Sequence, residues 1–190
     1  MVVSEDGLVF TNHHCGFSSI QQHSSVEHDY LKDGFFARSL EEELPNPELY
    51  VRFLLRTEDV TKRVLSAARH AKTETERRVA VDSIMNVISM EVSEKDSTLT
   101  GIVDAYYAGN EFWLSVYRDY NDVRLVFAPP SSVGKFGWDT DNWMWPRHTG
   151  DFSVFRIYAN TQNGPADYSP DNVPCLLYTS PSPRDKRQSR

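Results

Sequence analysis

The residues best suited to chemistry lie near the start of the chain, in the stretch TNHHCG at residues 11–16. Two histidines stand next to a cysteine there, and three kinds of site use such side chains. They are a metal site, a cysteine nucleophile with a histidine partner, and a general-base histidine that serves a serine elsewhere. Each alternative requires different residues in the rest of the chain.

A zinc site needs three or four ligands within tetrahedral reach. If TNHHCG is extended, neighbouring side chains point to opposite faces, so at most two of His13, His14 and Cys15 can meet one ion. His23 and His28 are further histidines, but neither has a recognisable ligand spacing. The sequence therefore disfavours a metal site.

A nucleophilic Cys15 would need a histidine from elsewhere in the fold to generate its thiolate, because His14 points away in an extended segment. The CGxCW surroundings of one cysteine-protease family are absent. We therefore expect Cys15 to be a small buried hydrophobic residue. A disulfide to a cysteine that precedes this stretch is the alternative.

A general-base histidine requires a carboxylate that orients its ring and a serine in a glycine-rich turn. Asp151 directly precedes a predicted strand, which Asp139, Asp141 and Asp167 do less clearly. From its position alone, however, Asp151 would be a turn residue. No GxSGG-like segment is present, and the serines of SSVG at 131–134 are expected to be loop residues.

The elements that must position these residues can be predicted from hydrophobic periodicity. Residues 7–12 and 49–57 are typical of strands, and 15–39 of a loop with a short helical piece. Two helices follow, the first capped by Thr57 and the second by a capping box of Thr73 and Glu76.

The second half of the chain is dominated by strand patterns. Residues 101–130 predict a three-stranded meander with turns at Gly109-Asn110 and Asn121-Asp122. Residues 131–150 predict a long loop and 151–160 a further strand. The predicted fold class is therefore mainly β with a helical insertion at about 57–95.

Composition excludes several classes of protein. The net charge is −7 without a basic run, which excludes nucleic acid as a partner. No apolar stretch approaches the ~18 residues of a membrane span, and no basic leader region follows Met1. Residues 175–190 change abruptly to Ser, Pro and Arg. Because CLLYTSPSPRD resembles a translated sequencing adapter, we expect this tail to be non-native and Cys175 to carry no function. A natural disordered tail is the alternative.

Two longer segments carry a family resemblance. DGLVFTNHHCG resembles the strand and His-Cys segment of chymotrypsin-like serine peptidases. It is more similar still to the bacterial dipeptidyl-peptidases of types seven and eleven, which add a helical domain to that fold. GKFGWDTDNWMWPRHTGDFSVFRIYAN is similar to a second signature block of the same family, and the resemblance covers residues 5–160.

The resemblance implies roles for four residues. His14, the histidine immediately before the cysteine, matches the catalytic base, and Asp151 matches the aspartate that orients it. Asn142 and Trp143 match the pair that holds the free amine of the substrate. An amide oxygen accepts from an ammonium group, and an indole face attracts it. The implied fold is a chymotrypsin-like antiparallel β-barrel, the N-terminal half of a double barrel.

The implied activity is that of a serine-type dipeptidyl aminopeptidase, here truncated before its serine, so that this fragment alone is expected to be inactive. The resemblance implies peptide substrates with a free N-terminus, no cofactor, no metal, and a full-length form that can be a homodimer. It also implies a periplasmic or cell-surface location, with the signal peptide lost by truncation. The alternative is a non-catalytic β-barrel module that binds peptide N-termini. Acidic and hydrophobic side-chain preferences stay equally open.

Overall fold

The computed structural model describes residues 1–141, 144 and 148–176. The chain forms two compact units, each described by itself below. The discontinuous unit comprises Met1–Val51 and the chain from Tyr120 onward, and the inserted unit comprises Arg52–Asp119.

In the described residues, strands and helices alternate irregularly along the chain. Their order is β1 (Leu8–Thr11), α1 (His13–His23), α2 (Tyr30–Asp33), β2 (Phe35–Phe36), β3 (Leu44–Pro45), β4 (Val51–Asp59), α3 (Thr61–Ala67), α4 (Glu74–Lys95), β5 (Leu99–Tyr106), β6 (Glu111–Tyr120), β7 (Val123–Ala128), α5 (Ser131–Gly134), α6 (Trp138–Asp141), β8 (Ser153–Ala159) and β9 (Val173–Pro174). A 3-10 helix at Leu40–Glu42 precedes β3. Within this described part, no helix combines the length and apolarity that a membrane crossing needs.

The discontinuous unit is built on an antiparallel sheet in the order β1–β8–β7–β2, with β3 also paired to β7 and β9 to β8. A register shift between Leu125 and Phe127 marks a bulge in β7. The prediction of a mainly β chain with helices is confirmed. In the described residues, however, the sheet does not close into a barrel, since its edge strands β1 and β2 do not pair with each other.

Helix α1 packs against one face of this sheet. Ile20 is fully buried there together with Leu125 of β7 and Phe155 of β8. At Gly16 a Cβ atom would lie 3.1 Å from Ser153 Oγ and 3.2 Å from the Phe155 ring. A glycine at this position therefore allows the helix to approach β8 closely.

The TNHHCG stretch is the main correction to the predicted secondary structure. It was expected to be extended, but His13 begins α1 and Asn12 occupies the N-cap position. Successive helical residues point about 100° apart, not to opposite faces. Docking of the helix on the sheet accordingly turns His13 inward, 2% exposed, while His14 remains exposed.

The inserted unit contains a three-stranded sheet in the order β4–β6–β5, in which β5 and β6 are antiparallel, and α3 and α4 pack on it. Its core contains Val64, Ile88, Val92, Val103, Phe112, Leu114 and Val116. The capping box of α4 is confirmed in part. The Thr73 side chain accepts a hydrogen bond from Glu76 N, but the Glu76 carboxylate accepts from the main-chain N–H of Lys72 and not from that of Thr73. The expected cap at Thr57 is wrong, because β4 continues to Asp59 and α3 begins only at Thr61.

The predicted meander is only partly correct. β5, β6 and β7 all form, and β5 and β6 make a hairpin in which Gly109 has a left-handed φ of 83°. β7, however, belongs to the sheet of the discontinuous unit. The predicted loop after it contains the two short helices α5 and α6. Runs rich in Val, Tyr, Phe and Trp identified these strands, but such runs do not encode which sheet a strand joins.

Candidate active site

The candidate site lies where β1 ends and β8 begins. These two strands are antiparallel, and Thr11 pairs with Ser153. The end of one strand and the start of its antiparallel neighbour lie at the same edge of the sheet. The residues just outside the paired segment, Asn12 to His14 on one side and Asp151 on the other, are therefore brought together.

Asp151 accepts three hydrogen bonds from this corner. Its Oδ2 lies 2.8 Å from His14 Nδ1 and 2.9 Å from Asn12 Nδ2. Its Oδ1 accepts from the main-chain N–H of His14 at 3.2 Å. An ionised carboxylate only accepts, so the proton of a neutral His14 ring belongs on Nδ1. The other ring nitrogen, Nε2, then carries the lone pair that a general base uses.

Exposure and charge agree with that assignment. The His14 side chain is 69% exposed and that of Asp151 only 29%. Burial works to raise the pKa of Asp151, but the hydrogen bonds from Asn12 and His14 outweigh it and hold that pKa below its usual value. The carboxylate therefore stays ionised and can stabilise a positive charge on His14.

His13 and Cys15 flank this histidine and differ from it in environment. His13 is buried, and within the described residues neither of its ring nitrogens has a hydrogen-bond partner. Cys15 is a free thiol and is exposed, so the expectation of a buried residue is wrong. It lies on the outer face of α1 rather than on the face that packs on the sheet.

Two of the competing carboxylates, Asp167 and Asp141, make none of the hydrogen bonds described for this corner. Asp167 accepts a hydrogen bond from Asn121, next to the start of β7. Asp141 ends the short helix α6 and is exposed. Asn142 and Trp143, the predicted amine-binding pair, lie outside the described residues. Among described residues, no three His, Cys, Asp or Glu side chains form a metal-binding cluster.

The sequence prediction missed Asn12. As the N-cap residue of α1, it was in a position where Asn commonly binds its own helix, but its side chain makes no capping bond and binds Asp151 instead. The available signal was an Asn immediately before a helix. Because the prediction gave only a short helical piece within 15–39 and no start at His13, that signal was not recognised.

Comparison with known protein families gives one match over nearly the whole chain. The model of the family described as Peptidase S46 matches residues 1–179. Among curated proteins, the chain is 56% identical to dipeptidyl-peptidase 7 of Porphyromonas endodontalis over 174 residues, or 92% of this chain and 21% of that protein. It is 53% identical to an Asp/Glu-specific dipeptidyl-peptidase of Capnocytophaga gingivalis, over 91% of this chain and 24% of that protein.

Comparison with solved structures agrees. The crystal structure of Porphyromonas endodontalis DPP11 in complex with the dipeptide Arg-Asp matches with a TM-score of 0.81 and 45% identity. The match covers 93% of this chain and 26% of that one. The chain thus spans only about a quarter of the length of the proteins it resembles.

Proposed function

The chain belongs to the peptidase S46 family, and from this premise we propose that the complete protein is a serine-type dipeptidyl-peptidase that releases dipeptides from the free N-terminus of peptides. The relatives that match at 50–56% identity carry the name dipeptidyl-peptidase. The observation that carries the proposal is the 2.8 Å contact between His14 Nδ1 and Asp151 Oδ2.

In the proposed mechanism His14 transfers protons at Nε2. It takes the proton of the serine hydroxyl while the serine oxygen attacks the carbonyl carbon of the substrate's second residue. When the C–N bond breaks, Nε2 returns that proton to the leaving amine. Water then attacks the acyl-enzyme with the same proton transfers and releases the dipeptide and the serine. Asp151 stabilises the imidazolium at each step and keeps the ring oriented.

The serine belongs, in this proposal, to the part of the protein beyond Pro174. The support is that no glycine-rich serine turn occurs in this sequence and that the chain covers 21–25% of its curated relatives. The proposal also includes a chymotrypsin-like barrel half, a function for Asn142 and Trp143 in holding the substrate amine, and a periplasmic or cell-surface location.

The preference for particular substrate side chains is proposed to lie outside this chain as well. A dipeptidyl-peptidase 7 and an Asp/Glu-specific dipeptidyl-peptidase match it almost equally, at 56% and 53% identity. A segment that is about equally similar to enzymes with different names is better suited to supply the catalytic residues that they share than to discriminate between their substrates.

The test uses the complete protein and chromogenic dipeptidyl substrates with a free or an acetylated N-terminus. We expect turnover of the free form only, abolished by His14→Ala and retained by His70→Ala, a matched exposed histidine in the inserted unit. If the wild-type protein binds such peptides but does not hydrolyse them, it is a binding module and the proposal fails. Turnover that survives His14→Ala also refutes it.

A further inference from the structure

The buried neighbour of the candidate base, His13, fits tightly against a single glycine. A Cβ atom added to Gly134 would lie 2.6 Å from both Cγ and Cδ2 of the His13 ring, closer than any real contact. The ring also packs edge-to-face on Phe17, with the centroids 6.5 Å apart. Gly134 does not have a left-handed φ. It is therefore required at this position for space and not for its backbone conformation.

The turn that contains Gly134 also holds the residue before Asp151. The carbonyl oxygen of Val133 accepts a hydrogen bond from Gly150 N at 2.8 Å. A Cβ atom on Gly150 would lie 3.0 Å from Val133 Cγ1, so this second contact is close as well. One continuous series of contacts thus joins the His13 ring, through helix α5, to the residue that precedes Asp151.

The two ends of this series are the sequence neighbours of the candidate pair. His13 immediately precedes His14, and Gly150 immediately precedes Asp151. We propose that His13 is a positioning residue, whose ring against Gly134 sets the separation between α1 and the Asp151 segment so that the His14–Asp151 hydrogen bond forms. The catalytic importance of this contact rests on the proposed function, but the contact itself does not.

The charge state of His13 is consistent with this function. Burial lowers its pKa, the nearby Asp151 carboxylate opposes that shift, and His14 adds to it. A neutral ring beside His14 does not repel the imidazolium that the mechanism creates. A buried and unpartnered imidazole is also well suited to packing, because it makes no competing hydrogen bond among the described residues.

The experiment is a double-mutant cycle in the complete protein, with steady-state kinetics and the low-field proton resonance of His14 Nδ1–H as readouts. We expect Gly134→Ala to abolish the resonance and to lower kcat on the order of 100-fold, with KM little changed, because a misplacement of about 1 Å has that effect. His13→Ala should weaken the resonance and lower kcat. In the double variant the methyl group added by Gly134→Ala no longer meets the imidazole ring. This variant should raise kcat at least tenfold relative to Gly134→Ala and restore the resonance.

The control is Ser132→Ala, an exposed change in the same short helix, which should behave as wild type. A folded Gly134→Ala or His13→Ala variant with the wild-type resonance and kcat overturns the proposal. So does a His13→Ala variant that does not fold, because the side chain is then structural. If the wild-type protein shows no turnover while the resonance follows the cycle as expected, the proposed function fails and the positioning contact stands.

Discussion

Asp151 binds His14 twice, through the ring nitrogen Nδ1 at 2.8 Å and through the main-chain N–H at 3.2 Å. The second contact satisfies an N–H in the first turn of α1, where helices have unpaired donors and favour negative charge. The N-cap residue Asn12 does not supply that contact itself and binds the same carboxylate. One aspartate therefore orients the candidate base and caps the helix that carries it.

The first prediction concerns this dual contact. Asp151→Asn in the complete protein should lower kcat by about four orders of magnitude, because the amide can donate to Nδ1 and so favours the wrong tautomer of His14. Steady-state kinetics on a dipeptidyl substrate measure the loss. Asp171→Asn, an exposed aspartate of the same unit, is the control and should leave kcat unchanged. A loss of less than tenfold would contradict the assigned function of Asp151.

The second prediction concerns Asn12. Asn12→Ala removes one hydrogen bond to a charged acceptor, an interaction of about 1.5–3 kcal/mol. The pKa of Asp151 should rise toward its usual value and kcat should fall about tenfold. Asn12→Asp should have a larger effect, because it places a second carboxylate against Asp151. If both variants keep wild-type kcat, Asn12 only terminates the strand and has no function in the site.

The third prediction concerns acid stability. The pKa of Asp151 is depressed in the folded state, so its contribution to stability is present above the unfolded-state pKa of about 3.9 and is lost as pH falls through the folded-state pKa. Urea denaturation of wild type and Asp151→Asn should therefore show a difference in unfolding free energy at pH 7 that shrinks progressively below pH 4. A difference that is constant with pH would show that the carboxylate charge does not stabilise the fold.

The sequence predicted elements well where local signals and tertiary structure agree. The spacing of Thr73 and Glu76 identified the start of α4, and runs rich in Val, Tyr, Phe and Trp identified β5, β6 and β7. The prediction did not place α1, whose sequence HHCGFSSIQQH has little helical propensity. That helix is stabilised mainly by packing, through Ile20 in the core and Gly16 against β8.

Only those residues of the candidate site that a motif or a family resemblance identifies could be predicted from the sequence. His14 and Asp151 could be named from a motif and a resemblance, because each stands beside a recognisable strand. Asn12 and Gly134 were not found. Asn12 matters because it binds Asp151, which is 139 residues away in the chain. Gly134 matters because the buried ring of His13 packs against it. Such contacts leave no periodic pattern in the sequence.

The ion pair between Glu43 and Arg156 could not be predicted for the same reason, because its partners are 113 residues apart in the chain. Three consecutive glutamates, Glu41-Glu42-Glu43, are typical of an exposed surface segment. Glu43 is nevertheless only 5% exposed. It accepts from Arg156 Nε at 2.9 Å and from the Tyr158 hydroxyl at 2.9 Å. Burial, followed by the Glu43 contact, raises the pKa of Tyr158.

The fourth prediction tests this pair. Glu43→Ala removes a buried carboxylate and leaves the partly buried Arg156 guanidinium with its Nη1 bond to the carbonyl oxygen of Asp6. It should lower the free energy of unfolding by about 3 kcal/mol. Glu58→Ala is the matched control, since its 2.6 Å contact with Arg56 joins two side chains that are each about half exposed. Glu58→Ala should lower the free energy of unfolding by less than about 1 kcal/mol. Urea denaturation of the two variants measures both changes in the free energy of unfolding. Equal changes would show that the burial of Glu43 does not determine how much its ion pair contributes to stability.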